Sequence, residues 1–142
     1  MKQKRQLSVY ERNQLLKHGF TSEDLLSQGE LPVEYLTKTV KFKQLDLKIN
    51  HNVLIPRVET EELVDQICQF CDQLIKEKSI INYLEVGTGS GAISLALYNY
   101  LQGQKLALIG QFIASDYSSL ALDVARENFQ KTFGEKILSK VK

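Results

Sequence analysis

The chain has 142 residues, 43% of them hydrophobic and 25% charged, which is the make-up of an ordinary folded domain with one core and at most a small N-terminal appendage. Lys and Arg number 18 against 17 Asp and Glu, a net charge of +1, so the broad basic surface that a nucleic-acid partner needs is not expected. Met1 to Gln6 is basic, but no apolar stretch follows before Glu11, Arg12 and Asn13, and no segment approaches a membrane span; neither secretion nor insertion is expected, and the cytoplasm is the expected compartment.

From Ser8 onward, Val9, Leu15 and Leu16 alternate with polar residues, which predicts a short helix stopped by Gly19. Thr21 or Ser22 is placed to cap a second short helix through Leu25 and Leu26, ended by Gly29, and Pro32 breaks any continuation. From Val40 the period changes to two, with Val40, Phe42, Leu45, Leu47 and Ile49 separated by charged residues. A β-hairpin is predicted, turning at Asn50-His51-Asn52 into Val53-Leu54-Ile55 and ending at Pro56.

Thr60 is then positioned to cap a helix with Glu61 and Glu62 in its first turn, where carboxylates suit the positive end of the helix dipole. Leu63, Val64, Ile67, Phe70, Cys71, Leu74 and Ile75 recur at three and four, an amphipathic pattern reaching about Lys76. Cys68 and Cys71 fall on its inward face with no second Cys or His pair nearby, so two reduced, buried thiols are expected rather than a metal or redox pair. Ile80 to Val86 reads as a parallel strand buried on both faces, Ala92 to Leu97 as a helix, Leu106 to Ala114 as a second strand and Leu120 to Phe129 as a further helix before Gly134. The order helix, strand, glycine turn, helix, strand, helix is one βαβ unit of an open, doubly wound α/β sheet. Tyr98 and Tyr100 are expected to pack, and His18 and His51 are given no role.

The segment that carries chemistry is Glu85-Val86-Gly87-Thr88-Gly89-Ser90-Gly91. A strand that turns sharply into a helix while a ligand touches its backbone needs residues without a Cβ, and the N–H groups opening the helix then face an anionic group. Asp116 ends the next strand; in a right-handed βαβ unit that tip lies beside the turn, where a carboxylate can accept from both hydroxyls of a ribose. The dinucleotide fingerprint asks for glycine at its sixth position, where this chain has Ala92. Glu85 tips the balance: an acidic residue there repels a pyrophosphate and suits the cationic methionine portion of S-adenosylmethionine. The glycine turn, Asp116 and Glu85 together point to a nucleoside-cofactor site that favours S-adenosylmethionine, and no catalytic or metal-binding residue is assigned.

Three stretches, VLIPRVETEELV (53–64), EVGTGSGAISLAL (85–97) and ASDYSSLALDVARENF (114–129), resemble the HemK/PrmC family of release factor glutamine methyltransferases, as do LPVEYL and FKQLDLKIN before them. The likeness runs in order from Leu31 to Phe129, and its LIPR-x-ET segment is more specific than the glycine turn. The resemblance implies a Rossmann-like class I methyltransferase sheet preceded by short helices and a β-hairpin, divided as a helical segment 1–39, a hairpin connector 40–56 and a partial methyltransferase domain 57–142. It implies methyl transfer from S-adenosylmethionine to the glutamine side-chain amide in the GGQ loop of a peptide-chain release factor, the protein partner, with Gly87, Thr88, Gly89, Ser90 and Gly91 as cofactor contacts beside Glu85, Asp116 on the ribose, and Arg57, Glu59 and Thr60 in a lid and first-helix region. Family members carry Pro at the position of Val58 and Gly at that of Gln44, and a longer helical domain.

The family's Asn-Pro-Pro-Tyr motif, which holds the acceptor amide in line with the methyl group, would come two strands later, and this sequence contains no such run. Positioning supplies much of the acceleration of methyl transfer, so the chain is expected to be a fragment: marginally stable, binding the cofactor weakly or not at all, and inactive alone. An adenine amino-group DNA methyltransferase shares the fold and clamp, but the near-neutral charge and the LIPR-x-ET segment speak against it. A nicotinamide-dependent dehydrogenase using the same turn, and a non-catalytic remnant that binds a partner, are the other readings.

Overall fold

The computed structural model describes residues 6–104, 108–139 and 141. Its elements run α1 (Val9–His18), α2 (Ser22–Ser27), α3 (Val33–Thr37), β1 (Thr39–Phe42), β2 (Leu45–Lys48), α4 (Glu59–Lys76), β3 (Ile81–Val86), α5 (Ala92–Gln102), β4 (Ile109–Ser115), α6 (Ser119–Phe133) and a 3-10 turn over Glu135–Ser139.

Both N-terminal helices begin with reciprocal capping boxes. In α1 the Ser8 hydroxyl accepts from the Glu11 N–H at 3.2 Å while the Ser8 N–H donates to Glu11 Oε2 at 2.8 Å. Thr21, rather than Ser22, caps α2 in the same way with Asp24. Gly19 closes α1 at φ 73°, as expected of a glycine stop. Leu15, Leu25 and Val33 form a small apolar cluster of their own. Pro32, read from sequence only as a breaker, is the residue from which α3 starts, because its fixed φ of −57° suits a helix entry as well as it prevents a helix from continuing through it.

The hairpin forms one turn earlier than predicted. β1 pairs antiparallel with β2, Val40 opposite Leu47 and Phe42 opposite Leu45, and the chain reverses at Lys43-Gln44. Val53 to Ile55 is not a strand; Asn50 starts a turn there, its Oδ1 accepting from the Asn52 N–H at 2.8 Å. The three-residue step from Phe42 to Leu45 within an otherwise two-residue period marks the reversal. Lys43 takes a left-handed φ of 53°, held by its N–H donating to Glu61 Oε1 at 2.7 Å and its Nζ to Asp65 Oδ2 at 2.6 Å.

Those carboxylates belong to α4, whose start also differs from the prediction. Val58 is already helical at φ −60°, ψ −34°, and its carbonyl accepts from the Glu61 N–H at 2.9 Å, so Thr60 lies inside the first turn and cannot take the extended conformation a capping residue needs. Further along α4, Cys68 and Cys71 are buried, unbridged thiols. Burial foremost, then the neighbouring Cys71 and Asp65, pushes the Cys68 thiol up to about 11, which leaves little thiolate at neutral pH. A chromogenic disulfide reagent should therefore find both thiols silent in native buffer and fully reactive in denaturant; rapid native titration would show that the α4 face is open.

β3 and β4 are parallel neighbours, with Tyr83 opposite Phe112, Glu85 opposite Ala114 and Val86 opposite Ser115. β4 starts at Ile109 rather than near Leu106, and Leu106 and Ala107 lie outside the described residues. Helices α4, α5 and α6 share one core with Ile81 and Phe112. Tyr98, buried, meets Phe112 and Phe133 edge-on at 5.2 Å and Phe129 at 6.4 Å, the packing role expected of it. Tyr100 packs at the rim and donates to Asp72 Oδ1 at 2.7 Å. The expectation that β3 is buried on both faces is not met. Leu84 and Val86 are 64% and 82% exposed, because the helices cover the Ile81, Tyr83 and Phe112 side and no described element covers the other.

Candidate functional site

Three left-handed glycines build the turn between β3 and α5: Gly87 at φ 82°, Gly89 at φ 56° and Gly91 at φ 80°. An L-residue pays about 1–2 kcal/mol for that region, so the sequence Gly-x-Gly-x-Gly is dictated by the backbone path. Around Gly87 and Gly89 an added Cβ would meet nothing within 4 Å, so the backbone there borders open space. Gly91 is different: its Cβ would lie 2.9 Å from Leu95 Cδ1 and 3.3 Å from Ala125 Cβ, which identifies it as the point where the turn packs on α5 and α6.

The neighbouring strand holds the turn. The Ser115 carbonyl accepts from the Gly87 N–H at 2.8 Å and the Thr88 N–H at 2.9 Å, and Ser115 Oγ donates back to the Glu85 carbonyl at 2.8 Å. Asp116 follows directly, its Oδ2 accepting from the Gly89 N–H at 2.8 Å and its Oδ1 from the Ser118 N–H at 2.9 Å. The predicted adjacency of Asp116 and the glycine turn is thus present as a direct hydrogen bond. Backbone donation from Ser118, then from Gly89, holds the Asp116 carboxyl below the usual carboxylate range, so it is an anion at neutral pH with acceptor capacity left over.

Within the turn, the N–H groups of Gly87, Thr88, Gly89 and Gly91 are taken by Ser115, Asp116 and Thr88 of the chain itself. A tight turn leaves its own amides buried or short of partners, and the neighbouring strand end is the nearest acceptor. What remains for an anion is the start of α5, which has no side-chain cap.

Glu85 sits at the end of β3, half-buried, and accepts at Oε2 from the hydroxyls of Tyr83 at 3.1 Å, Thr88 at 2.9 Å and Ser94. Asn128, fully buried on α6, was not singled out in the sequence. Its Nδ2 donates to the Ser90 and Lys48 carbonyls, each at 2.9 Å, and its Oδ1 accepts from the Lys48 N–H at 2.7 Å, so it joins the glycine turn to β2. Its signal was available: Ala121, Val124 and Ala125 make an inward stripe, and Asn128 is the polar residue on it. Ser94 is likewise a polar residue on the buried side of α5.

A cavity of about 400 Å³ lies between β4 and α6, lined by Ile113, Leu122, Phe129 and Val141 among others, and none of the turn glycines borders it. It is an apolar gap beside the β4 edge, where Val141 makes a parallel bridge to Phe112, and the polar groups are at the strand ends instead. Among the described residues no three His, Cys, Asp or Glu side chains gather to hold a metal, and no helix is long and apolar enough to cross a membrane.

A parallel βαβ unit, with a left-handed glycine turn bonded to an acidic residue from the adjacent strand tip, defines an α/β protein whose glycine turn lies at the carboxyl ends of its strands. No family model matches the chain. It is 40% identical over 103 residues, 72% of its length, to a release factor glutamine methyltransferase of Lactococcus lactis subsp. lactis, of which it covers 34%. Proteins of the same name from Fusobacterium nucleatum subsp. nucleatum and Leptospira interrogans are 37% and 33% identical over 82% and 87% of this chain, which covers 28% and 40% of them. The chain belongs to the release factor glutamine methyltransferase family and spans about a third of the length of these curated relatives.

Proposed function

We propose that this chain supplies the S-adenosylmethionine-binding part of a Rossmann-like class I methyltransferase that methylates the glutamine side-chain amide of a peptide-chain release factor in the cytoplasm. The observation that carries this reading is the Asp116 carboxylate lying 2.8 Å from the Gly89 amide, with open space beside Gly87 and Gly89. A nucleoside seated there meets three kinds of group: a carboxylate for its ribose hydroxyls, a backbone without side chains against its body, and Glu85 toward a cationic tail. The open cradle and the two acidic residues fit this cofactor, and Glu85 beside the turn disfavours a pyrophosphate.

When bound, the cofactor supplies an activated methyl group on a sulfonium centre. The chain's own residues bind and orient: Asp116 accepts from hydroxyls, the turn at Gly87 to Gly91 sets the approach distance, and the uncapped start of α5 favours a carboxylate. No residue here is assigned to the acceptor amide, and the Asn-Pro-Pro-Tyr run that the resemblance implies for that task is absent from these 142 residues.

Thermal unfolding tests the reading. S-adenosylhomocysteine at millimolar concentration should raise the midpoint of the chain, NAD should not, and Asp116→Ala should abolish the rise, since only a ligand that prefers the folded state stabilises it. Equal protection by NAD, or none by either, overturns it.

A further inference from the structure

All three side-chain hydrogen bonds that reach Glu85 from the described residues fall on one oxygen, Oε2: the hydroxyls of Tyr83 from β3, Thr88 from the turn and Ser94 from α5. An ionised carboxylate only accepts, and each hydroxyl has a single proton to give, so the three point inward on one acceptor. Ser94 Oγ and the Tyr83 hydroxyl lie 3.3 Å apart, both drawn to the same atom. Ser94 is fully buried and Thr88 nearly so, which gives these bonds a stronger electrostatic setting than the surface would.

The donors collect on one side of the carboxylate, which stands near the C-terminal end of β3, with Val86 alone between it and the glycine turn. We propose that Tyr83, Thr88 and Ser94 are positioning residues that clamp Glu85 by Oε2 so that Oε1 is presented to the primary ammonium group of an amino-acid-bearing nucleoside. The clamp decides selectivity for the cationic tail, whereas Asp116 and the glycines hold the nucleoside itself. This inference rests on the cofactor reading above.

The test compares S-adenosylhomocysteine, which carries the ammonium, with 5′-methylthioadenosine, which lacks the amino-acid tail, in calorimetric titrations of the full chain. Tyr83→Phe and Ser94→Ala should each weaken the first ligand about tenfold, the worth of a hydrogen bond to a charged group, and leave the second within about twofold. In a Glu85→Gln background, which itself removes the preference, Ser94→Ala should add nothing, because residues acting through one group are not additive. Equal weakening of both ligands would make the hydroxyls merely structural and overturn the proposal, as would no weakening of either.

Failure of the cofactor reading looks different. If neither nucleoside binds the unaltered chain, that reading falls, and the clamp is judged by proton NMR. A slowly exchanging Tyr83 hydroxyl proton that vanishes in Glu85→Gln supports it, and absence of that proton overturns it.

Discussion

Asn128→Ala should lower the unfolding free energy by about 3 kcal/mol, seen as a denaturant midpoint shifted at unchanged slope and a thermal midpoint lower by roughly 10 °C. The side chain makes three hydrogen bonds from a fully buried position, and alanine strands the Ser90 carbonyl and both polar groups of the Lys48 peptide without a partner. Each stranded buried group costs about 1–3 kcal/mol, and partial relaxation toward solvent returns some of it. The same amide is the link between β2, α6 and the glycine turn, so its loss should also loosen the turn. Lys131→Ala is the control. On the same helix as Asn128, Lys131 makes an exposed 2.8 Å bond to the Asp46 carbonyl of β2, and its loss should change stability by no more than about 0.5 kcal/mol. If the two variants behave alike, Asn128 does not hold these elements together.

Gly91→Ala and Gly89→Ala should fail in opposite ways. At Gly91 the added methyl lies 2.9 Å from Leu95 Cδ1 and 3.3 Å from Ala125 Cβ at a left-handed φ of 80°, and Leu95 is fully buried, with little freedom to move aside. The left-handed penalty of about 1–2 kcal/mol and overpacking of a similar size together give a loss of about 3 kcal/mol. At Gly89 the space is empty and only the conformational penalty of about 1 kcal/mol applies, so the chain should fold. Its methyl then occupies the cradle, and affinity for S-adenosylhomocysteine should drop more than tenfold. Calorimetric titration beside denaturant unfolding separates the two. A Gly89→Ala chain that binds normally would mean that the ligand does not approach the turn there.

Much of this site could be read in one dimension because its parts are adjacent in sequence. The alternation of glycines between a short apolar run and a helix is a local consequence of the backbone path, and Asp116 is legible because β4 is short and its last residue polar. The hairpin was misplaced for an equally local reason. The motif around Asn50 to Asn52 has stronger turn composition than Lys43-Gln44, whose reversal depends on carboxylates from α4 that lie 18 and 22 residues away. The start of α4 was misread because Thr60 has the composition of a cap, although the chain at Val58 is already helical.

Sequence alone determined the order of elements from α4 onward, the glycine turn with its acidic partner and the family to which the chain belongs, since each is written in short-range pattern. Only the tertiary structure decided which amides of the turn remain open, that three hydroxyls from a strand, a turn and a helix meet on one oxygen of Glu85, and that Asn128 spans from residue 48 to residue 90. The physical reason is that a hydrogen bond is a condition on distance and direction in space. Residues 9 or 80 apart satisfy it only after the core beneath them has packed.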